Sequence, residues 1–328
     1  MEKLGTYEMI GQMTSQNSGF SMWGFANKNG EEYFVKQFLS PKYPVNDTVS
    51  SQASLDKKIK NCQKFEQQKL ELYRRVNDNS DGNAVRVEEF FRVGSKYYIA
   101  TKKMSALPLS IADIAALPQA EIRRLCAVIA HSVAGIHNGG VIHADLKHEN
   151  VIFIRTASGK TTVKVIDFDN SFLESDPPEA GEELVGDQNY FSPEACISVW
   201  GSEIPLTCKM DVFALGVLFH QYFSGELPGF DREKNTYSGE AVAKGETLRI
   251  SPKVPEDVAI LLERMLSFDM DLRPTAREVF VGLTDGVTET GTVVPSARYV
   301  PREHNFGGDK INPSTQSGNP FQRAGDLW

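Results

Sequence analysis

Through residues 1–40 apolar and polar positions alternate and break at glycines, as in "TYEMIGQM" and "GFSMWGFANKNGEEYFVKQF". A period of two marks strands with one buried face. "NKNGEE" has the composition of a hairpin turn between two of them. The proline-bearing "SPKYPVNDTVSS" reads as a loop. Residues 54–76 contain neither Gly nor Pro and read as a helix. "NDNSDGN" breaks the chain, and "AVRVEEFFRVGSKYYIA" predicts two further strands turning at Gly94.

Beyond "KKMSALPLS" the period lengthens. Ile122, Leu125, Ile129, Val133 and Ile136 recur at helical spacing, and Gly139-Gly140 ends that helix. Residues 207–224, 256–267 and 274–283 read as helices. From Thr284 on, Gly, Thr, Ser, Asn and Pro dominate. The expected class is α+β: a β-rich lobe with one main helix over 1–103, a larger, mostly helical lobe over 104–285, and a flexible or docking tail over 286–328.

Composition narrows the function without naming it. Hydrophobic residues make up 41% and charged residues 24% of 328, ordinary for a globular protein. The net charge of −8 argues against a general nucleic-acid or anionic-membrane binder. The four cysteines lack zinc-site spacing and read as reduced thiols. "MEKLGTYEMIGQM" has no signal-peptide core, and the longest apolar run, "VFALGVLFHQYF", is too short for a bilayer. No membrane segment is expected, and the expected location is the cytoplasm.

The chemistry concentrates in "VIHADLKHENVIF" and in "VKVIDFDNSF" after it. Both would read as core strand but for their polar residues. Asp145, Lys147 and Asn150 stand at D-x-K-x-x-N spacing, and Asp167 ends the next apolar strand. Phosphoryl transfer needs a carboxylate to orient a hydroxyl, a cation near the moving group, and oxygen ligands for magnesium. Asp145, Lys147, and the pair Asn150 and Asp167 are candidates in that order.

Here the chain resembles the eukaryotic-type (Hanks-type) Ser/Thr protein kinases over roughly residues 5–283. The matching motifs are H-x-D-L-K-x-E-N and D-F-x. "VGDQNYFSPEA" is similar to the end of an activation segment, with Ser192-Pro193-Glu194 in the Ala-Pro-Glu place. The resemblance implies a bilobal kinase-like fold. It also implies that Asp211 braces the catalytic loop and that Arg273 of "DLRPTA" pairs with Glu194. Further implications are ATP and Mg2+ as cofactors and protein Ser/Thr hydroxyls as acceptors, including its own. The compact build suggests a bacterial member, with a metal-dependent protein phosphatase as opposing partner.

In the small lobe, "EEYFVKQF" resembles the family's nucleotide strand, which puts Lys36 on the α- and β-phosphates. Its expected acidic partner lies on the following helix. At about 100° per residue, Glu66 shares the inward face and Glu71 points outward, so Glu66 is expected to pair with Lys36. The phosphate-covering loop offers only Gly11 and Gly19. Gln16, Ser18 and Ser21 take the family's glycine places and Trp23 the valine place. Adenine is expected against a hinge near Thr101 to Met104, with Thr101 as gatekeeper.

Two departures bear on control. Ala144 replaces the Arg that often receives an activation-segment phosphate, so activity is expected not to depend strongly on such phosphorylation. Asp169 replaces the Gly of D-F-G and is expected to make that segment harder to flip out. A pseudokinase or nucleotide-binding scaffold is the competing reading, encouraged by the altered glycine loop. A small-molecule kinase would lack the Glu194, Asp211 and Arg273 set. His148, where the family often has Pro, has no role in this reading.

Overall fold

A computed structural model describes residues 2–15, 21–45, 48, 50–80, 82–182 and 184–284. The N-terminal part is a six-stranded antiparallel sheet in the order β1-β2-β3-β4-β6-β5. Its strands are β1 (Lys3–Leu4), β2 (Tyr7–Thr14), β3 (Ser21–Lys28), β4 (Glu31–Phe38), β5 (Val87–Val93) and β6 (Lys96–Lys102). Asn29 and Gly30 turn β3 into β4 with φ of 56° and 84°. Positive φ at both turn residues matches the twist of a two-residue hairpin, which is why Asn-Gly sits there.

Helix α1 (Gln52–Asn79) starts on Ser51, whose side chain accepts from the Ser54 N–H. It outruns the predicted 54–76 at both ends. Cys62, Leu72, Tyr73 and Val76 are buried along one stripe. Phe65, on the same stripe, meets Phe38, Phe90 and Tyr97 with ring centroids 5.4, 6.0 and 5.3 Å apart. This aromatic cluster seats α1 on one face of the sheet. A smaller core, including Tyr7, Met9, Val35 and Tyr98, covers the other face.

The C-terminal part is mostly helical: α2 (Ile111–Ala115), α3 (Gln119–Asn138), α4 (Pro193–Val199), α5 (Lys209–Ser224), α6 (Ser238–Ala243), α7 (Glu256–Met265) and α8 (Ala276–Thr284). Helix α5 is buried on every side from Met210 to Ser224, as a run apolar all round requires. Two small ladders carry the chemistry-bearing loops. Strand β7 (Val141–Ile142) pairs with β10 (Phe172–Leu173), and β8 (Val151–Arg155) with β9 (Thr161–Val165). One apolar core runs from Phe38 and Cys62 through α3 and β8 to α7 and α8, so it spans both lobes. Gly135 of α3 lies so close to α1 that a Cβ there would sit 2.5 Å from the Asn79 carbonyl oxygen.

The α+β, two-lobed architecture agrees with the expected fold class. Short helices α2, α4 and α6 were not anticipated. Each is too brief to show a helical period. The proposed tail, 286–328, lies outside the described residues.

Candidate active site

The loop between β7 and β8 is fixed from below. The buried Asp211 carboxylate at the start of α5 accepts from the backbone N–H of His143 at 2.7 Å and of Ala144 at 2.9 Å, and meets His137 Nε2 at 2.9 Å. Burial works against its charge, but the His137 bond and its other partners hold its pKa below the ordinary carboxylate value. Ala144 takes a left-handed φ of 63°, costly for a residue with a Cβ. That turn presents Asp145.

Asp145 collects the neighbouring polar groups. Its carboxylate accepts from Lys147 Nζ at 2.9 and 3.0 Å, from Asn150 Nδ2 at 3.1 Å, and from the Asp187 N–H at 3.1 Å. Asn150 Nδ2 also donates to the Asp145 carbonyl at 2.7 Å. With its nitrogen so engaged, the Asn150 amide keeps its side-chain oxygen for another partner, and that oxygen and the Asp167 carboxylate are hard oxygen donors of the kind a divalent cation takes. No group of three His, Cys, Asp or Glu side chains forms a metal cage among the described residues.

The segment after β9 is clamped to the same loop. Asn150 O accepts from the Ile166 N–H at 2.9 Å, and Ile166 O lies 3.0 Å from His143 Nε2. Asp167 has φ of 66°, and buried Phe168 packs on the His143 ring at 4.9 Å. His143 is therefore a buried connector between the two segments. His148 finds its role here too: its Nδ1 lies 3.1 Å from Tyr222 Oη of α5, 74 positions away.

Lys36 of β4 reaches across to this segment. Its Nζ donates to both Asp167 oxygens at 2.8 and 2.9 Å and lies 2.7 Å from Asp169 Oδ2. The expected pairing with Glu66 is not what the structure holds. Glu66 Oε1 instead accepts from Tyr97 Oη at 2.6 Å and lies 3.9 Å from Arg92. The helical residue pointing at the cluster is Lys69, whose Nζ donates to the Asp169 carbonyl. Glu71 faces outward onto Arg74 and Arg75.

Two lysines and two aspartates thus share one partly buried site. Burial opposes the Lys36 charge, yet Asp169 and Asp167 outweigh it and hold its pKa above the usual lysine value. Burial likewise disfavours the Asp167 anion, and Lys36 more than compensates. Burial and the Asp167 charge push Asp169 up, and burial pulls Lys69 down. Carboxylates forced together split in this way.

Above the cluster lies a cavity of about 230 Å³, lined by Phe25, Phe34, Lys36, Ile99, Thr101, Met104, Ile152 and Ile166 among others. Aromatic and aliphatic side chains make up much of its lining, a composition suited to a flat ring system. Trp23, given the family's valine place, is not among the residues that line the cavity. It pairs with Lys36 across the ladder and stacks on Phe34 at 5.5 Å, while Phe25, opposite Phe34, lines the cavity. Gly11 sits in β2 at φ of 82° and Ser21 is buried in β3. Gln16, Ser18 and Gly19 lie outside the described residues.

Below the cleft, Ser192 caps α4, and Glu194 of that helix meets Arg273 at 2.6 and 2.9 Å. The four cysteines are free thiols, three of them buried.

Residues 46–281 match the family model described as "Protein kinase domain". The chain is similar to the ovarian-specific serine/threonine-protein kinase Lok of Drosophila melanogaster, 32% identical over 46% of this chain and 31% of that protein. It is 32% identical to calcium-dependent protein kinase 11 of Oryza sativa over 47% of this chain and 26% of that one. It is 27% identical to serine/threonine-protein kinase PSK2 of Saccharomyces cerevisiae over 64% of this chain and 18% of that one. The chain therefore spans less than a third of the length of each of these relatives, which are eukaryotic. Among the described residues no helix is long and apolar enough to cross a membrane.

Proposed function

This chain belongs to the protein kinase domain family, and on that premise we propose that it transfers the γ-phosphoryl group of ATP to Ser or Thr hydroxyls of proteins, its own included. The observation that carries this reading is the convergence of Lys147, Asn150 and the Asp187 N–H on one carboxylate, Asp145.

In this reading Asp145 orients the acceptor hydroxyl and takes its proton as the bond forms. Lys147, already beside that carboxylate, balances charge on the moving phosphoryl group. The oxygens of Asn150 and Asp167 would hold Mg2+, which would neutralise phosphate charge. Lys36 anchors the α- and β-phosphates. The adenine occupies the slot lined by Phe34, Ile152, Thr101 and Met104. Glu194, Asp211 and Arg273 are structural. They support the protein-substrate platform.

Control follows from Ala144. Two contacts of the chain itself seat the segment after Asp169: β10 pairs with β7, and the Asp187 N–H donates to the Asp145 carboxylate. Activity therefore does not depend strongly on phosphorylation of residues 170–192. Activity abolished by phosphatase and restored by phosphate on that segment would overturn this. The reading also includes a cytoplasmic location, a bacterial source and an opposing metal-dependent phosphatase.

A nucleotide-binding scaffold is the second reading. It is favoured by Lys36 being engaged by two carboxylates at once. Labelled ATP with magnesium separates the two. Incorporation into the chain or a basic protein acceptor, lowered by about 10²–10⁴ in Asp145→Ala, supports the kinase. ATP binding without transfer supports the scaffold.

A further inference from the structure

We propose that Asp169, rather than any acid on helix α1, is the carboxylate that positions Lys36 for phosphate, and that Lys69 is the counter-cation that makes a second carboxylate tolerable there. This rests on the reading of the cleft as a nucleotide site.

Three observations converge on it. First, the contacts are direct: Lys36 Nζ lies 2.7 Å from Asp169 Oδ2, and Lys69 donates to the carbonyl of the same residue. Second, the alternatives on α1 are spent. Glu66 is bonded to Tyr97 and Glu71 to Arg74 and Arg75. Third, Lys69 stands in the middle of the buried stripe formed by Cys62, Phe65, Leu72, Tyr73 and Val76. A lysine at such a position is costly without an anionic neighbour. Its ammonium donates to the Asp169 backbone carbonyl, and the nearby Asp169 and Asp167 charges favour its charged form, so Lys69 and Asp169 offset part of each other's burial cost.

The consequence concerns what happens when a nucleotide arrives. Asp167 and Asp169 both hold Lys36 in the structure. If Asp167 turns to a bound cation, Asp169 keeps Lys36 in place and its ammonium remains directed at the phosphates. Asp169 is a positioning residue. It acts through Lys36 and does not need to touch the reacting atoms. The device also moves the usual connection between helix and lysine. Helix α1 holds the Asp169 backbone through Lys69 and is tied to the large lobe by Gln68 to Asp176 at 2.9 Å and Arg75 to the Gly139 carbonyl at 3.1 Å.

The test is calorimetric titration of the full chain with ATP, once with magnesium and once with a chelator, beside a thermal-unfolding control for each variant. Lys36→Met weakens ATP binding about tenfold or more. If it does not, the nucleotide-site reading itself fails. Given that loss, Asp169→Asn is expected to weaken binding about tenfold in both conditions, the scale of one charge-assisted contact. Asp169→Glu recovers most of it. Glu66→Gln stays within about twofold of wild type. Lys69→Met weakens binding, and Lys69→Arg restores it. In Lys69→Glu with Asp169→Gly, which moves the carboxylate from the segment to the helix, binding exceeds that of either single variant. Tighter ATP binding by Asp169→Asn would make Asp169 a competitor of the phosphates and overturn the proposal. So would a loss in Glu66→Gln matched by none in Asp169→Asn. Should Asp169→Asn fail to fold, Asp169→Glu and the double variant still decide.

Discussion

Arg273 grips Glu194 through two parallel hydrogen bonds of 2.6 and 2.9 Å, and the two side chains are 0% and 1% exposed. The same guanidinium donates to the carbonyls of Ser267 at 2.7 Å and Lys209 at 3.1 Å. Breaking one half of a buried pair leaves an uncompensated charge, at a cost of about 3–5 kcal/mol. Glu194→Ala should fall in that range by denaturant unfolding. Arg273→Ala should cost more, since it also strips those carbonyls of their donor. The double variant should cost less than the sum of the two.

Asp211 makes the loop that carries Asp145 sensitive to acid. Its folded pKa is below the ordinary value of 3.8, so its contribution is complete above about 3.8 and fades as pH falls beneath it. Asp211→Asn should lose about 3 kcal/mol at neutral pH, as bonds to a charged acceptor suggest. The gap between variant and wild type should narrow below pH 3.8. Urea midpoints measured across pH 3 to 7 check this. A gap that widens toward low pH would contradict the assignment.

Gly239 of α6 seats the end of the segment that carries Glu194. A Cβ there would lie 2.0 Å from the Phe191 carbonyl oxygen, a backbone atom with no side-chain freedom to yield. Gly239→Ala should destabilise by about 1–3 kcal/mol or more, the range for overpacking. It should also lower transfer to a protein acceptor more than it lowers ATP affinity. Equal, small effects on both would argue that this seat is not part of the substrate platform.

Phe168 is 2% exposed, packs on His143, and is followed by an aspartate held from two sides by Lys36 and Lys69. Ligands that require Phe168 to swing out should therefore bind weakly. Asp169→Gly, which frees both the backbone and the ion pair, should improve their affinity by about tenfold, worth 1.4 kcal/mol. Competitive displacement assays read this. Tight binding to the unmodified chain would oppose it.

What could be read from the chain alone follows the range of the interactions. Asp145, Lys147 and Asn150 serve each other within five positions, so that part of the site is local to "HADLKHEN", while the braces from Asp211 and Asp187 come from far along the chain. Trp23, given the valine place, is not a lining residue of the cleft for a reason of phase. The ladder sets Phe25 opposite Phe34 and Trp23 opposite Lys36, and a slip of two positions along one strand moves a different aromatic into the cleft. Helix α1 posed the same problem in another form. Glu66 lies close enough in angle to the inward stripe to look like the partner of Lys36. Lys69 lies nearer its centre and is the residue that reaches the Asp169 carbonyl. The available signal was double: a lysine among Phe65, Leu72 and Tyr73, and an extra acid in "DFD". Each is unfavourable alone, and together they compensate. The contact of His148 with Tyr222, 74 positions away, left no local trace at all.

The central claim is that Asp145 and its neighbours run phosphoryl transfer. Incubation of the purified chain and a mixed Ser/Thr peptide pool with ATP and magnesium, followed by intact-mass and phosphosite mass spectrometry, tests it most directly. The account predicts added phosphate on Ser or Thr in wild type and none in Asp145→Asn at equal folding. Unchanged masses in both, with ATP still bound by wild type, would contradict it.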